Sequence, residues 1–367
     1  MLGRGGAAFP VGRKWASVAG RADGSAVVLV NGAEGEPLSV KDRSLIASRP
    51  HLVLDGAQLA ADAIGADRIV LYIGSEHTAA RDGLERALLE RASSQPFAPT
   101  VPVDLVAAPT RYVAGEETAA VHFVNDGDAR PTTVPPRPFE RGIGGRPTLV
   151  QNVESLAYAA LIARFGDQWY RESGVGLTRG TALVTVHSVE RPGLREIELG
   201  MPLAELARAA GATRGSEAVL LGGYFGGWLA IDEARDLRLD PLAMRAAGTG
   251  FGCGVVGFLE PGRCGVRLTA RILDFMAGQS AAQCGPCVLG LRAIADATAR
   301  IASGIPRGDE LERLTRWSAQ VAGRGACRHP DGAVGLLLSA LRVFEDEFIA
   351  HATGRGCHAE TAKVRAA

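Results

Sequence analysis

Ala26-Val27-Val28-Leu29-Val30-Asn31-Gly32-Ala33-Glu34-Gly35-Glu36-Pro37 is an unbroken apolar run followed by a polar, glycine-containing turn. A strand-length run without polar alternation is one buried on both faces, the habit of parallel sheets covered by helices. Ligands of open α/β sheets sit beyond the carboxyl ends of the strands, which puts Asn31, Glu34 and Glu36 where the wall of a site belongs. An acidic surface turn is the plainer alternative.

Upstream lies Leu2-Gly3-Arg4-Gly5-Gly6-Ala7-Ala8-Phe9-Pro10-Val11-Gly12-Arg13-Lys14-Trp15. Glycines let backbone N–H groups approach a ligand closely, and Arg4, Arg13 and Lys14 bring positive charge, so the run suits a phosphate-bearing ligand. A loose basic tail is the competing reading. Gly3, Gly5 and Ala8 satisfy G-x-G-x-x-A, yet no strand precedes them, so the ordinary dinucleotide fingerprint lacks its context. Downstream, residues 50–64 carry apolar side chains at helical spacing. Residues 68–73 read as a second buried strand, 81–92 as an amphipathic helix and 101–107 as an alternating strand. Strands alternating with helices predict an α/β sandwich on a largely parallel sheet.

Residues 111–120 set Tyr112, Gly115, Glu116 and Glu117 at a loop-to-helix junction; the helix dipole accounts for one glutamate there, and the second asks for more. The proline-dense run 131–138 excludes helix and central strand and predicts an extended path over the surface or across a cleft. Residues 144–154 predict a turn, a short strand and a helix starting near Asn152, whose amide either caps that helix or bonds a ligand. After Trp169 the pattern changes. Strands at 181–187 and 195–199, a helix at 202–210 and a strand at 218–221 suggest a small β-grasp-like module. Glycine-dense connectors then lead to helices expected at 266–277, 288–302, 309–321 and 333–351, which would pack as a bundle. The expected domains are 1–168, 169–250 and 251–367.

The 367 residues, 47% of them hydrophobic, suffice for two or three packed domains. Lys plus Arg and Asp plus Glu balance at 40 each, so no global field attracts nucleic acid or an anionic membrane. No apolar stretch reaches membrane-span length and the start does not resemble a signal peptide, which makes a cytoplasmic chain the expectation. His51, His77, His122, His187 and His351 show no sequence partner and read as structural.

Six cysteines at unequal spacings are unlike a secreted disulfide framework. Cys284-Gly285-Pro286-Cys287 begins a helix, and Cys327-Arg328-His329 arrives from a separate turn. Three readings compete: an iron–sulfur cluster on Cys284, Cys287 and Cys327; a zinc site on those thiols with His329; or a thioredoxin-like dithiol, which lacks the strand that should precede it. Buried, metal-free thiols are the plain alternative. Cys253, Cys264 and Cys357 read as inert, with Cys264 a reserve ligand.

Taken in order, the Gly-Arg-Gly-Gly-Ala-Ala-Phe-Pro run with Lys14-Trp15, Asn31 to Lys41-Asp42-Arg43, Tyr112 to Thr118, Pro147 to Glu154 and the 284–287 turn with Cys327 resemble the NADH-binding flavoprotein subunit of respiratory complex I. They resemble equally its relatives in hydrogenases and formate dehydrogenases. The resemblance covers nearly the whole chain. It implies an α/β class with a Rossmann-like FMN domain, a β-grasp domain and a helical bundle carrying a [4Fe–4S] cluster. It implies that Gly3, Arg4, Gly5, Gly6, Ala7 and Lys14 wrap the FMN phosphate and ribityl chain, and that Asn31, Glu34, Tyr112, Gly115, Glu116 and Asn152 line the flavin. Glu36 and Glu117 would stand near the nicotinamide of NAD(H), with Phe9 flanking the dinucleotide. Cys284, Cys287 and Cys327 would hold the metal.

The implied activity is an NADH:acceptor (quinone-type) oxidoreductase, passing electrons through FMN to a cluster and on to a partner subunit or ferredoxin-like protein. The departures are specific. Ala281 stands at the first cysteine of the family's Ser-Cys-Gly-Gln-Cys-Thr-Pro-Cys, leaving an incomplete thiolate set. Gly32 and Ala33 replace Ala-Asp, Val134 to Arg137 replaces Lys-Pro-Pro-Phe, and Gln151-Asn152 replaces Asn-Asn. They leave a second reading, a non-catalytic flavin-binding or scaffold paralogue. The family's upstream segment is lacking, so the glycine run is expected to be weakly anchored.

Overall fold

Val27, Val28, Leu29 and Val30 are wholly buried because helices cover both faces of the sheet they belong to. The computed structural model describes residues 1–94, 100–175 and 178–357, so the last ten residues of the expected helical domain lie outside the described residues. Two units emerge: Met1–Thr185 with Leu194–Gly200, and Val186–Gly193 with everything described from Met201 onward. The expected boundary at 168 therefore falls inside the first unit.

The first unit runs α1 (Val11–Ala19), β1 (Ala26–Gly32), α2 (Lys41–Ser48), α3 (Pro50–Ile64), β2 (Ala66–Gly74), α4 (Thr78–Ala92), β3 (Val103–Ala108), α5 (Glu117–Asp126), β4 (Thr148–Asn152) and α6 (Val153–Glu172). β5 (Thr181–His187) and β6 (Gly193–Glu198) follow, each straddling the division of the chain between the two units. The sheet order is β3-β2-β1-β4, all neighbours parallel, as the alternating pattern predicts. Val28 and Val30 face a core built with Ile46, Val53, Ala57, Leu84 and Leu156, while Val27 and Leu29 pack with Val70, Tyr72, Ala120 and Val121 on the other side. Helix ends obey local chemistry: Pro50 opens α3, Gly65 at φ 64° closes it, and the Asn152 side chain accepts the Glu154 N–H to cap α6. α3 and α6 approach so closely that a Cβ on Gly56 would lie 2.0 Å from the Leu156 carbonyl oxygen.

The second unit contains α7 (Leu203–Ala210), β7 (Ala218–Leu221), β8 (Gly227–Ala230), α8 (Ile231–Ala234), α9 (Pro241–Ala246), β9 (Val255–Phe258), α10 (Gly265–Gly278), α11 (Arg292–Ala302), α12 (Glu310–Val321), α13 (His329–Val343) and α14 (Glu345–Ala352). β7 pairs antiparallel with both β8 and β9. α13 lies on β8, where the Ser339 hydroxyl accepts the Trp228 N–H at 2.9 Å. Two expected helices differ. The stretch from 288 begins as a π-helical turn, Pro286–Leu291, before α11. The expected helix 333–351 is two, starting earlier and broken at Phe344, whose ring packs edge-on to Trp228 at 5.2 Å and fills the space beside Gly265. Tertiary packing there overrides a helical periodicity that runs straight through.

Candidate functional site

The chain leaves β1 toward β2 on one side, while β4 pairs on the other, so the crevice between the ends of β1 and β4 is the sheet's topological switch point. Asn31 and Asn152 are register partners at that end. Asn31 Nδ2 donates to the Gly115 carbonyl at 2.8 Å, and Asn152 Nδ2 to Asp42 Oδ2 at 2.7 Å. A Cβ on Gly5 would lie 3.2 Å from Asn152 Cβ, so the glycine run passes directly over this crevice.

That run is not the loose segment the sequence suggests. Leu2 and Pro10 form a bridge, the Gly3 N–H donates to Phe9 O at 3.0 Å and the Val11 N–H to Met1 O at 3.1 Å, closing residues 3–9 into a loop. Gly6 at φ 97° and Ala8 at φ 52° both have positive φ, so the backbone turns sharply on either side of Ala7. The left-handed alanine costs roughly 1–2 kcal/mol. Arg4, expected beside the ligand, instead turns inward and is 3% exposed. Its N–H donates to Ser155 Oγ at 2.8 Å, Nη2 to Thr181 O at 2.7 Å and Nη1 to Leu2 O at 3.0 Å, while Nε stands 3.6 Å from Glu154 Oε1.

Beneath the crevice is a buried charge network that local sequence does not reveal. Lys41 Nζ lies 2.6 Å from Asp42 Oδ1 and 3.0 Å from Glu154 Oε2, and Glu154 Oε1 also accepts the Leu183 N–H at 2.9 Å. Burial alone would lower the Lys41 pKa, but Asp42 and Glu154 reverse this and hold the ammonium well above its ordinary value. Burial pushes Asp42 up, opposed by Lys41 and the Asn152 amide. Glu34, expected to line the flavin, is occupied locally: its carboxylate accepts the Asp42 and Arg43 N–H groups and the Ser39 hydroxyl, opening α2.

On the other wall, Tyr112 donates its hydroxyl to Glu36 Oε2 at 3.0 Å. A Cβ on Gly35 would lie 2.8 Å from Tyr112 O, so Gly35 lets these two loops meet. Glu116 caps α5, accepting the Thr118 and Ala119 N–H groups, and burial raises its pKa. Glu117 is partly open: Lys14 Nζ is 3.1 Å from Oε2 and Arg137 Nη1 3.5 Å from Oε1. Phe9 is 53% exposed at the loop.

Three of the second unit's six cysteines, Cys284, Cys287 and Cys327, lie near one another. Cys284 and Cys327 both act on Cys287, whose thiol is pushed up to about 11, first by burial. Ala281, at the place of the missing cysteine, is buried, and the Ser280 hydroxyl accepts the Ala282 N–H at 3.0 Å. Cys264 instead faces His351, 3.3 Å away. His329 Nε2 is engaged with Met276 O at 2.7 Å, which removes the nitrogen a Cys₃His zinc site would use from that side of the ring.

Residues 1–160 match the Nuo51 FMN-binding domain, and residues 267–351 the iron-sulfur binding region of NADH-ubiquinone oxidoreductase F. The F 2 subunit of NADH-quinone oxidoreductase in Rhizobium meliloti (strain 1021) is 32% identical over 369 residues, spanning 97% of this chain and 87% of that protein. The chain belongs to the family of these F subunits. The F subunit of the Mycobacterium tuberculosis (strain ATCC 25618 / H37Rv) NADH-quinone oxidoreductase is 30% identical over 371 residues, spanning 97% of this chain and 83% of its own length. A crystal structure of an NAD+-reducing [NiFe]-hydrogenase in the air-oxidized state superposes with a TM-score of 0.87 at 30% identity, and covers 99% of this chain. This chain spans 64% of that hydrogenase chain.

The crevice of this F-type chain fits FMN: Gly5 lets the glycine loop lie directly against Asn152, two positive-φ residues shape its backbone, and Lys14 is within the same wall. The thiols fit the cluster in part: Cys284 and Cys327 lie near Cys287, while the buried residue at 281 is alanine and not a fourth cysteine.

Proposed function

We propose that this chain is the electron-input subunit of an NADH:acceptor oxidoreductase, with FMN held at the β1/β4 switch point. The observation that carries the reading is the convergence of the glycine loop, Asn31 and Asn152 on that crevice. FMN, when bound, supplies two-electron acceptance from a nicotinamide and release of electrons one at a time. The loop of residues 3–9 and Lys14 would hold the phosphate, Asn152 and Asn31 would orient the ring, and Gly115 would leave it room. Glu36, fixed by Tyr112, and Glu117 would position the nicotinamide, with Phe9 against the dinucleotide. Cys284, Cys287 and Cys327 would hold an iron–sulfur cluster, with alanine at 281 where a fourth cysteine would stand. A quinone-type pathway, a partner subunit and a cytoplasmic setting belong to the same proposal; among the described residues no helix is long and apolar enough to cross a membrane. We read residues 169–250, with the strands expected at 181–187, 195–199 and 218–221 and the helix α7, as the β-grasp-like part, and α10 to α14 as the helical part.

The deciding experiment is the visible spectrum of anaerobically purified protein before and after NADH. A flavin spectrum bleached by NADH supports the proposal. Protein that stays colourless after incubation with FMN refutes it, and flavin that NADH leaves oxidised points to the non-catalytic paralogue.

A further inference from the structure

Three chain segments of the second unit meet at a place the flavin and cluster chemistry does not use. Cys264 is the N-cap of α10, Glu347 and His351 sit one turn apart on α14, and Cys357 follows that helix. Cys264 Sγ lies 3.3 Å from His351 Nε2, and the ligand atoms of Cys264, His351 and Cys357 all fall within 4.8 Å of one another with all three residues buried. Glu347 Oε2 accepts the Gly265 N–H at 3.1 Å, next in sequence to Cys264, which sets a carboxylate beside the group.

We propose that Cys264, His351, Cys357 and Glu347 form a structural zinc site, separate from the thiols at 284, 287 and 327. Zinc takes sulfur at about 2.3 Å and imidazole nitrogen at about 2.0–2.1 Å in a tetrahedron, which sets S···N near ~3.6 Å and S···S near ~3.8 Å. The Cys264–His351 spacing is already in that range, the two spacings to Cys357 need to contract by about 1 Å or less, and the Glu347 carboxylate, beside the three-residue cluster rather than in it, has to swing in. Two thiolates with one imidazole and one carboxylate are a borderline-soft donor set that suits zinc better than calcium, magnesium or manganese. His351 is also hydrogen-bonded to the Ile301 backbone, the kind of outer contact that orients a ligand histidine. On binding, the two thiols surrender their protons to solvent and no redox change occurs. Two thiolates and a carboxylate exceed the ion's charge by one, and Arg267 stands close enough to act on His351 and compensate. Such a site would tie the end of the chain's last described helix to the start of α10, whose far end leads into the Cys284 turn. Buried thiols packed without a metal are the competing account.

The test uses the full-length chain. Elemental analysis should find about one zinc per chain, retained in Cys284→Ser/Cys287→Ser and lost in Cys264→Ser/Cys357→Ser. Because the last variant could misfold, cobalt(II) titration of metal-free wild-type protein provides the second reading. A thiolate-to-cobalt band with tetrahedral intensity, saturating at about one equivalent and unchanged in Cys284→Ser/Cys287→Ser, supports the site. Wild-type protein without zinc that also gives no such band, zinc that leaves with Cys284 and Cys287, or a peptide map showing Cys264 linked to Cys357 overturns it.

Discussion

Glu154→Gln tests the buried network under the glycine loop. The side chain is isosteric, so the loss is one negative charge beside two cations. Arg4 and Lys41 have side chains 2% and 3% exposed, so solvent does not replace the missing carboxylate. Breaking a buried pair from one side costs about 3–5 kcal/mol, because a charge is left uncompensated. At about 2–4 °C per kcal/mol for a unit of this size, the first unit should melt roughly 6–20 °C lower. The assay is urea or thermal unfolding of flavin-free protein followed by tryptophan fluorescence. Lys41→Met/Glu154→Gln removes one charge of each sign and leaves Arg4 and Asp42 balanced. The pair should then be less damaging than the sum of its parts by about 0.5–3 kcal/mol. A loss below about 1 kcal/mol for Glu154→Gln, or strict additivity in the double variant, would show that the network does not brace the loop.

Four further outcomes follow from single positions. Gly35→Ala puts a Cβ 2.8 Å from Tyr112 O, a backbone atom, so the two loops should part with about 1–3 kcal/mol lost and weaker FMN binding by fluorescence titration. Ala281→Cys supplies a fourth thiol at the place of the missing one, and iron in anaerobic preparations should rise toward about four per chain, with an unchanged iron content refuting the placement. His77 is 6% exposed and burial lowers its pKa, so the stability it contributes is present above about 6.5 and is lost as pH falls through the lowered native value. Unfolding midpoints of His77→Asn should accordingly fall less between neutral and mildly acid pH than those of the parent. Arg137→Ala should change unfolding free energy by at most about 1 kcal/mol, its pair being exposed, while raising the KM for NADH; an unchanged KM would remove Arg137 from the dinucleotide site.

Much of this is legible locally. The β1 run announces a strand buried on both faces, residues 50–64 coincide with α3, and Asn152 reads as the start of a helix; each depends on chemistry within one element. The three thiols stand out by spacing alone. The rest depends on distance along the chain. Lys41 and Asp42 look like surface residues opening a polar helix, and only the fold brings Glu154 and Arg4 to them. Cys264 and His351 are 87 positions apart, with no spacing signature to join them. The inward turn of Arg4 is likewise unreadable, because a cation in a glycine-rich run is the same letter whether it faces phosphate or a buried glutamate.

The two sets of ion pairs at the crevice divide the labour that a ligand site of this kind needs. The pairs of Glu154 and Asp42 are buried, where separating charges is costly, so they hold Asn152 and the root of the loop in one geometry whether or not a ligand is present. The pairs of Glu117 are half in water, worth about 0–1 kcal/mol each, so Lys14 and Arg137 can be drawn away at little cost. An anionic ligand offering phosphate oxygens competes for both cations and, in taking them, frees Glu117 to face whatever lies beside it. Arg137 stands where the resembling family carries phenylalanine, three residues after the position at which it carries lysine. The positive charge missing at Val134 is thus restored from the other end of the same proline run, beside the Glu117 carboxylate.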